Sequence, residues 1–128
     1  MNKIGSYLDF HAQALKLRSR RNEILASNIA NAATPNFKAR DLDFDSEIKR
    51  HVGRGPLKTT DVEHFPTAIP VTGNKMLFRE PVNSSLDGNT VELSVEQMEF
   101  SENATRYQTT LTFLNNRITG LMSAIRGE

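Results

Sequence analysis

The sequence predicts a mainly α protein in which two long terminal helices pair as an antiparallel coiled coil, joined by an extended, largely irregular middle segment with short helical and β pieces. Three observations carry this expectation. An apolar seam of heptad spacing runs to the C-terminal end, a second helical pattern stops abruptly at Thr34-Pro35, and sustained periodicity is lost between them. The chain divides accordingly into an N-terminal helix over 1–33, an irregular segment over 34–93 and a C-terminal helix over 94–128, the two helices forming one discontinuous domain.

The C-terminal helix has the strongest pattern. Phe100, Ala104, Tyr107, Leu111, Leu114, Ile118, Leu121 and Ile125 are separated alternately by four and three residues, which holds one apolar stripe on a helix for more than three heptads. Ser94 with Gln97 three residues on forms a capping-box pattern, Glu96 and Glu99 suit the positive first turns, and Arg126-Gly127 suits the end. Such a helix spans roughly 50 Å, too long for a compact domain of this size. Its opposite side is also informative, because the only charges between Asn103 and Ile125 are Arg106 and Arg117. Thr105, Thr109, Thr112, Asn116 and Thr119 repeat along that side with Phe113 and Gly120 beside them, a small, uncharged face suited to contact with another chain.

The N-terminal helix, over 6–33, carries Leu8, Leu15, Leu25, Ile29 and Ala32 on one stripe and Phe10, Ala14, Leu17 and Ile24 on its neighbour. The expected pairing sets Leu111, Leu114, Ile118 and Leu121 against Leu15, Leu25 and Ile29. Proline at 35 pushes Thr34 out of helical geometry, and Asn36 tolerates the left-handed conformation of a sharp turn. The stretch Ile24–Phe37 has no charge yet includes Ser27, Asn28 and Asn31, poor helix formers that point to burial. Asparagine in a helix seam costs stability but fixes register.

Between the helices, four of the five prolines (Pro56, Pro66, Pro70 and Pro81) and several glycines interrupt the pattern. Phe44, Ile48 and Val52 permit one short helix, 75–79 permits a short strand, and Asp87-Gly88-Asn89 signals a turn. A segment of this length without regular structure acts as an arm or is ordered by a partner.

Composition narrows the function. Leu, Ile, Val and Phe make up 25 per cent of the 128 residues, while Asn and Thr contribute 22 residues with weak helix preference, so long helices here need outside support. The absence of cysteine excludes disulfides, thiolate metal sites and cysteine nucleophiles. The first residues lack the apolar run of a secretory signal, and nothing approaches the ~18 apolar residues of a membrane span. A net charge of +1 hides a split: residues 1–40 hold seven Lys/Arg against two Asp/Glu, and residues 41–128 hold nine against thirteen. The basic cluster Lys16, Arg18, Arg20 and Arg21 lacks interleaved aromatics, so it reads as a solvated or partner-facing helix side and not as a nucleic-acid surface. Glu92, Glu96, Glu99 and Glu102 form a charged helix face that suits this cluster. His11, His51 and His64 are scattered, Asp61-Val62-Glu63-His64 reads as a solvated loop, and Gly53-Arg54-Gly55-Pro56 lacks the Lys-Ser/Thr tail of a phosphate loop. No catalytic, cofactor or metal constellation emerges, and the chain reads as a non-enzyme.

The run Leu25-Ala26-Ser27-Asn28-Ile29-Ala30-Asn31-Ala32-Ala33-Thr34-Pro35-Asn36-Phe37-Lys38 resembles the signature of bacterial flagellar rod and hook proteins. Continued through Ala39–Phe44, and with Asp87–Leu93 leading to Tyr107-Gln108, the chain is most similar to the proximal rod subunits of the flagellar basal-body rod protein family. Thr34, Pro35, Asn36 and Phe37 occupy the family's turn motif, with Asn36-Phe37 where Gly-Tyr is usual. The resemblance implies an axial structural protein of the periplasmic rod, polymerising to connect the membrane ring to the rest of the rod and to transmit torque. It implies export through the flagellar type III apparatus and helices that order on assembly. The implied partners are further copies, other rod subunits, and basal adaptor and membrane-ring proteins. The residues alone also fit a non-flagellar coiled-coil adaptor that forms a small closed oligomer.

Overall fold

The computed structural model describes residues 3–52 and 76–127. The elements run α1 (Lys3–Ala30), β1 (Arg40–Leu42), α2 (Phe44–Val52), β2 (Met76–Phe78) and α3 (Leu93–Arg126). At 1.5 Å per residue, α1 is about 42 Å and α3 about 51 Å long. Their hydrogen bonds run antiparallel: Asn28 meets Glu96, Arg21 meets Glu99, and Asn22 meets Asn103.

Helix α1 stops three residues before the expected Ala33. Asn31 N–H is shared between the carbonyls of Ser27 (3.2 Å) and Asn28 (3.0 Å), and Ala32 N–H reaches Ile29, so the last turn tightens and the helix unwinds into turns. The Asn31 side-chain amide also donates to Ser27 O at 2.8 Å, competing with the helical ladder. Asn36 takes φ 60°, the left-handed conformation the turn requires.

Helix α3 begins at Leu93, one residue before the expected start, so Ser94 lies inside the first turn and cannot cap it. Glu92 holds the cap position in an extended conformation without a side-chain cap bond. At the other end Gly127, at φ 79°, closes the helix through its N–H to Ser123 O at 3.0 Å. The short helix α2 starts from Asp43, whose carboxylate accepts from Ser46 N–H (3.1 Å) and Ser46 Oγ (2.6 Å).

Strands β1 and β2 pair antiparallel in the register Arg40↔Phe78, Asp41↔Leu77 and Leu42↔Met76. The sheet rests on α1, where Leu17, Ile24 and Leu42 form the apolar centre with Phe44 and Ile48 of α2 against them. The core is small and half polar: Ala14, Leu17, Ile24, Leu25, Ala39 and Leu42 are buried together with Asn28, Glu47, Asn89, Glu96 and Asn103.

The turn after α1 is tied to the segment before α3. Asn36 N–H donates to Asp87 O (2.9 Å), Thr90 N–H to Phe37 O (3.0 Å), and Ala39 N–H to Thr90 Oγ1 (2.8 Å). Buried Asn89 directs its amide at the carbonyls of Asn31, Ala32 and Thr34, at 3.1, 2.9 and 3.0 Å, satisfying backbone acceptors released where α1 ends. Gly88 makes this approach possible. Its φ is +74°, and a Cβ there would stand 2.6 Å from Asn36 Oδ1. Gly88→Ala is expected to destabilise the chain by about 1–3 kcal/mol, read as a lowered urea midpoint at unchanged slope.

Candidate functional site

The densest chemistry lies where α1, α3 and the two strands meet. Arg21, on α1, reaches out of the helix as a fork: Nε donates to Asp41 Oδ1 and Nη2 to Asp41 Oδ2, both at 2.8 Å, and Nη2 also reaches Glu99 of α3 at 2.8 Å. Arg79, just after β2, repeats the arrangement from the other side. It pairs with Asp41 Oδ2 through Nη2 and with Glu96 Oε1 through Nη1 at 2.9 Å. Asp41 is thus held by two guanidinium groups, and two arginines from distant parts of the chain bind three carboxylates.

Glu96 is wholly buried, which a carboxylate tolerates only when its lone pairs are met. Arg79 meets one oxygen and Asn28 Nδ2 the other, at 3.0 Å. Asn28 does more than pair helices. Its amide also donates to Arg40 O (2.7 Å), while its Oδ1 accepts Arg40 N–H (3.1 Å), so one side chain acts as the missing neighbour strand along β1. One heptad further along α3, buried Asn103 donates to Arg18 O (2.9 Å) and Asn22 Oδ1 (2.7 Å). The Arg18 guanidinium lies over the Phe44 ring at 4.3 Å, and burial together with Arg106 and Arg21 depresses its proton affinity.

The electrostatics follow from this geometry. Burial opposes ionisation of Asp41, but the hydrogen bonds and charge of Arg21, with Leu42 N–H and Arg79, outweigh it and leave the carboxyl below its ordinary range. Arg21 is held above its ordinary range, foremost by its bond to Asp41. These carboxylates are committed to guanidinium partners, so the arrangement fixes register and does not offer a free acid or base. Among the described residues no cluster of His, Cys, Asp or Glu forms a metal cradle, and no described helix is long and apolar enough to cross a membrane.

A family profile described as "Flagella basal body rod protein" matches residues 8–38, which cover most of α1 and the turn after it. The chain is 60% identical over 128 residues, all of both chains, to a flagellar basal body rod protein FlgB of Cereibacter sphaeroides. The chain belongs to the FlgB family of flagellar basal-body rod proteins. FlgB proteins of Yersinia enterocolitica (41% identical, 98% of each chain) and Escherichia coli (39%, 98% of this chain and 97% of that one) match over nearly the same length.

In this FlgB-family chain the residues singled out from the sequence fall into three groups. Leu25 and Asn28 are buried, while Leu8, Leu15, Ile29, Asn31, Phe100, Ala104, Tyr107, Leu111, Leu114 and Leu121 are half-buried. Ile118 and Ile125 are exposed. The expected partnership of Leu25 and Ile29 with Leu111–Leu121 is corrected by the register: Asn28 lies against Glu96, so this end of α1 faces the start of α3. Counting back from Arg18 beside Asn103 brings Lys3 level with Ile118, and the last turns of α3 run past the first described residue of α1. Thr105, Thr109, Thr112, Phe113, Asn116 and Thr119 are all exposed. In the turn motif Thr34, Pro35 and Asn36 are exposed and Phe37 is half-buried.

Sequence reading missed Asp41, Arg79, Asn103 and Asn89 as organising residues. The charged face of α3 does meet the basic cluster of α1, through Arg21 and Glu99, but Glu96 is buried and binds Arg79 and Asn28 instead. A signal existed: Arg21 and Asn28 stand seven apart, as do Glu96 and Asn103, which places polar residues at core spacing. The sequence features at Gly53–Pro56 and Asp61–His64 lie outside the described residues.

Two expectations follow. Arg79→Met leaves Glu96 buried with Asn28 alone and should cost about 3–5 kcal/mol, whereas Arg20→Ala, which breaks the exposed Arg20–Glu23 pair, should cost under about 1 kcal/mol; urea unfolding of both variants measures the contrast. Because Asp41 ionises more readily folded than unfolded, its contribution is present above the unfolded pKa of about 3.9 and is lost as pH falls through the lower folded value. Unfolding midpoints followed from pH 7 to pH 2 should therefore drop in the acid range, and Asp41→Asn should flatten that drop.

Proposed function

We propose that this chain is a structural subunit of the proximal rod of the flagellar basal body and that it works by packing the exposed face of α3 against neighbouring subunits. Its kinship over the whole length with FlgB proteins supports the rod assignment and does not favour a closed coiled-coil adaptor. The matching names are those of rod proteins and not of enzymes. Membership of the family implies assembly with other flagellar basal-body components. Further copies, other rod subunits, basal adaptor and membrane-ring proteins, and the type III export apparatus are the partners this reading adds, in a rod that crosses the periplasm.

The observation that carries the packing is the chemistry of the α3 face. Thr105, Thr109 and Thr112 each donate their hydroxyl to the carbonyl four residues back, Ser101, Thr105 and Gln108, at 3.0 Å. Their donors are met inside the helix, so the face offers methyl carbon instead of unmet polar groups. Phe113, Ile118, Met122 and Ile125 add exposed apolar area towards the C-terminal end. A neighbouring backbone can approach such a face closely without desolvating charge. Head-to-tail contacts whose rotation does not close extend along an axis, as a rod requires. Torque would then pass through many parallel helix contacts.

Thr109→Asp should leave the subunit's own stability within about 0.5 kcal/mol, as expected of a surface change, yet abolish rods in electron micrographs of basal bodies. Leu114→Asp, in the half-buried seam, should block rod assembly as well while leaving export intact. Normal motility with both variants would rule out this packing.

A further inference from the structure

Two surfaces near the strands are left unexplained by the helix contacts. The first is a cavity of about 300 Å³ between α1 and the sheet, lined by the apolar side chains of Ile24, Phe37 and Met76, by the charged Arg20, Glu23 and Arg40, and by Ser27. Next to it Phe78 is 70% exposed, with the Arg40 guanidinium 5.6 Å from its ring centroid.

The second is the segment Glu80–Asp87, which bends at Val82–Asn83 and turns at Leu86–Asp87. It holds two of the most exposed large apolar side chains among the described residues, Val82 at 88% and Leu86 fully exposed. The segment is not left to collapse onto the nearest apolar surface. Glu92 accepts the backbone N–H groups of Val82 and Asn83, each at 3.2 Å, and Asp87 accepts Ser85 Oγ (2.6 Å) and Asn89 N–H (3.0 Å). Four hydrogen bonds therefore hold two bare hydrophobic groups outward between two acids, Glu80 and Asp87. Isolated exposed apolar residues need no explanation; here two stand four residues apart on a backbone held by side-chain hydrogen bonds.

The two surfaces are complementary in charge, and both carry apolar side chains. The cavity lining mixes the apolar Ile24, Phe37 and Met76 with two arginines and one glutamate, and Arg20 already neutralises Glu23 at 2.7 Å, which leaves Arg40 in excess. The segment brings two apolar side chains flanked by two carboxylates.

We infer that the Glu80–Asp87 segment of one copy docks its Val82 and Leu86 into the α1–sheet cavity of a second copy, with Glu80 and Asp87 facing the Arg20 and Arg40 side. This rests on the rod reading and adds a second contact, separate from the α3 face. The donor and acceptor surfaces are different parts of the chain, so the contact is heterologous and propagates from copy to copy instead of closing a dimer.

The chain has no cysteine, which makes cross-linking the decisive test. Single-cysteine variants Ser27→Cys, at the cavity, and Leu86→Cys, on the segment, are mixed as full-length chains and oxidised, both purified at high concentration and co-expressed in cells of an otherwise motile strain whose own rod subunit is deleted. A disulfide between two singly substituted chains is necessarily intermolecular. The mixed Ser27→Cys with Leu86→Cys dimer is expected to exceed either like-with-like dimer at least fivefold. Arg20→Glu in the Ser27→Cys chain should lower its yield, and Glu80→Arg in the Leu86→Cys chain should restore it. Equal yields of all three dimers, no mixed dimer, or cross-linking of Leu86→Cys to a different protein would each overturn the docking. The two readings separate cleanly: cells that swim without the mixed cross-link retain the rod assignment and lose this contact, whereas a mixed cross-link in purified chains that never restore swimming keeps the contact and removes the rod assignment.

Discussion

The buried carboxylate of Glu96 is the constraint on which the rest of the structure depends. A charge removed from water requires partners from whichever parts of the chain can reach it, and here those parts are far apart in sequence: Asn28 in α1 and Arg79 after β2. Once Arg79 is committed, its second branch fixes Asp41, and Asp41 in turn fixes Arg21. One desolvated group thereby sets the position of both helices and both strands. Such a network adds less net stability than an equal volume of hydrocarbon would, but it penalises every register in which one member is missing.

A second tie reinforces the first by a different means. Asn89 closes the end of α1, and the backbone around Asp87–Thr90 pairs with the turn from Asn36 to Ala39. The two pieces of sequence that resemble the family signature, separated by some fifty residues, are therefore one local structure. Short sequence motifs often look like independent turns. Here each supplies the hydrogen-bond partners of the other, so neither is complete alone.

This explains what was legible in the sequence and what was not. Heptad spacing and chain breakers located both long helices to within three residues, and the 44, 48, 52 pattern located α2. The left-handed Asn36, the turn at 87–89 and the 75–79 strand were legible because they depend on local backbone preference. The meeting of the α3 acids with the α1 arginines was legible from charge spacing, but the part of Arg79 and Asp41 was not, because they reach the site from segments that only tertiary structure brings there. Asn28 was recognised as a register residue from its charge-free surroundings, but its role along β1 depends on a strand that only tertiary structure places beside it. The boundary of α1 was misjudged for a related reason: Asn31 bonds backward to Ser27, an outcome that composition alone does not dictate.

Among the described residues, the hydrogen bonds that join Asn28, Arg21 and Asn22 of α1 to α3 fall between Glu96 and Asn103, near one end of α3. From Asn103 onward the helix runs about 35 Å to Arg126 at 1.5 Å per residue, with Tyr107, Leu111, Leu114 and Leu121 half-buried along it. Mechanically it is a cantilever, clamped at the root and compliant at the tip. A tilt of about five degrees at the root would carry the tip about 3 Å, a distance on the order of half a helix pitch. Strain applied towards the tip is therefore felt at this root, where the buried Glu96 and Asn103 lie.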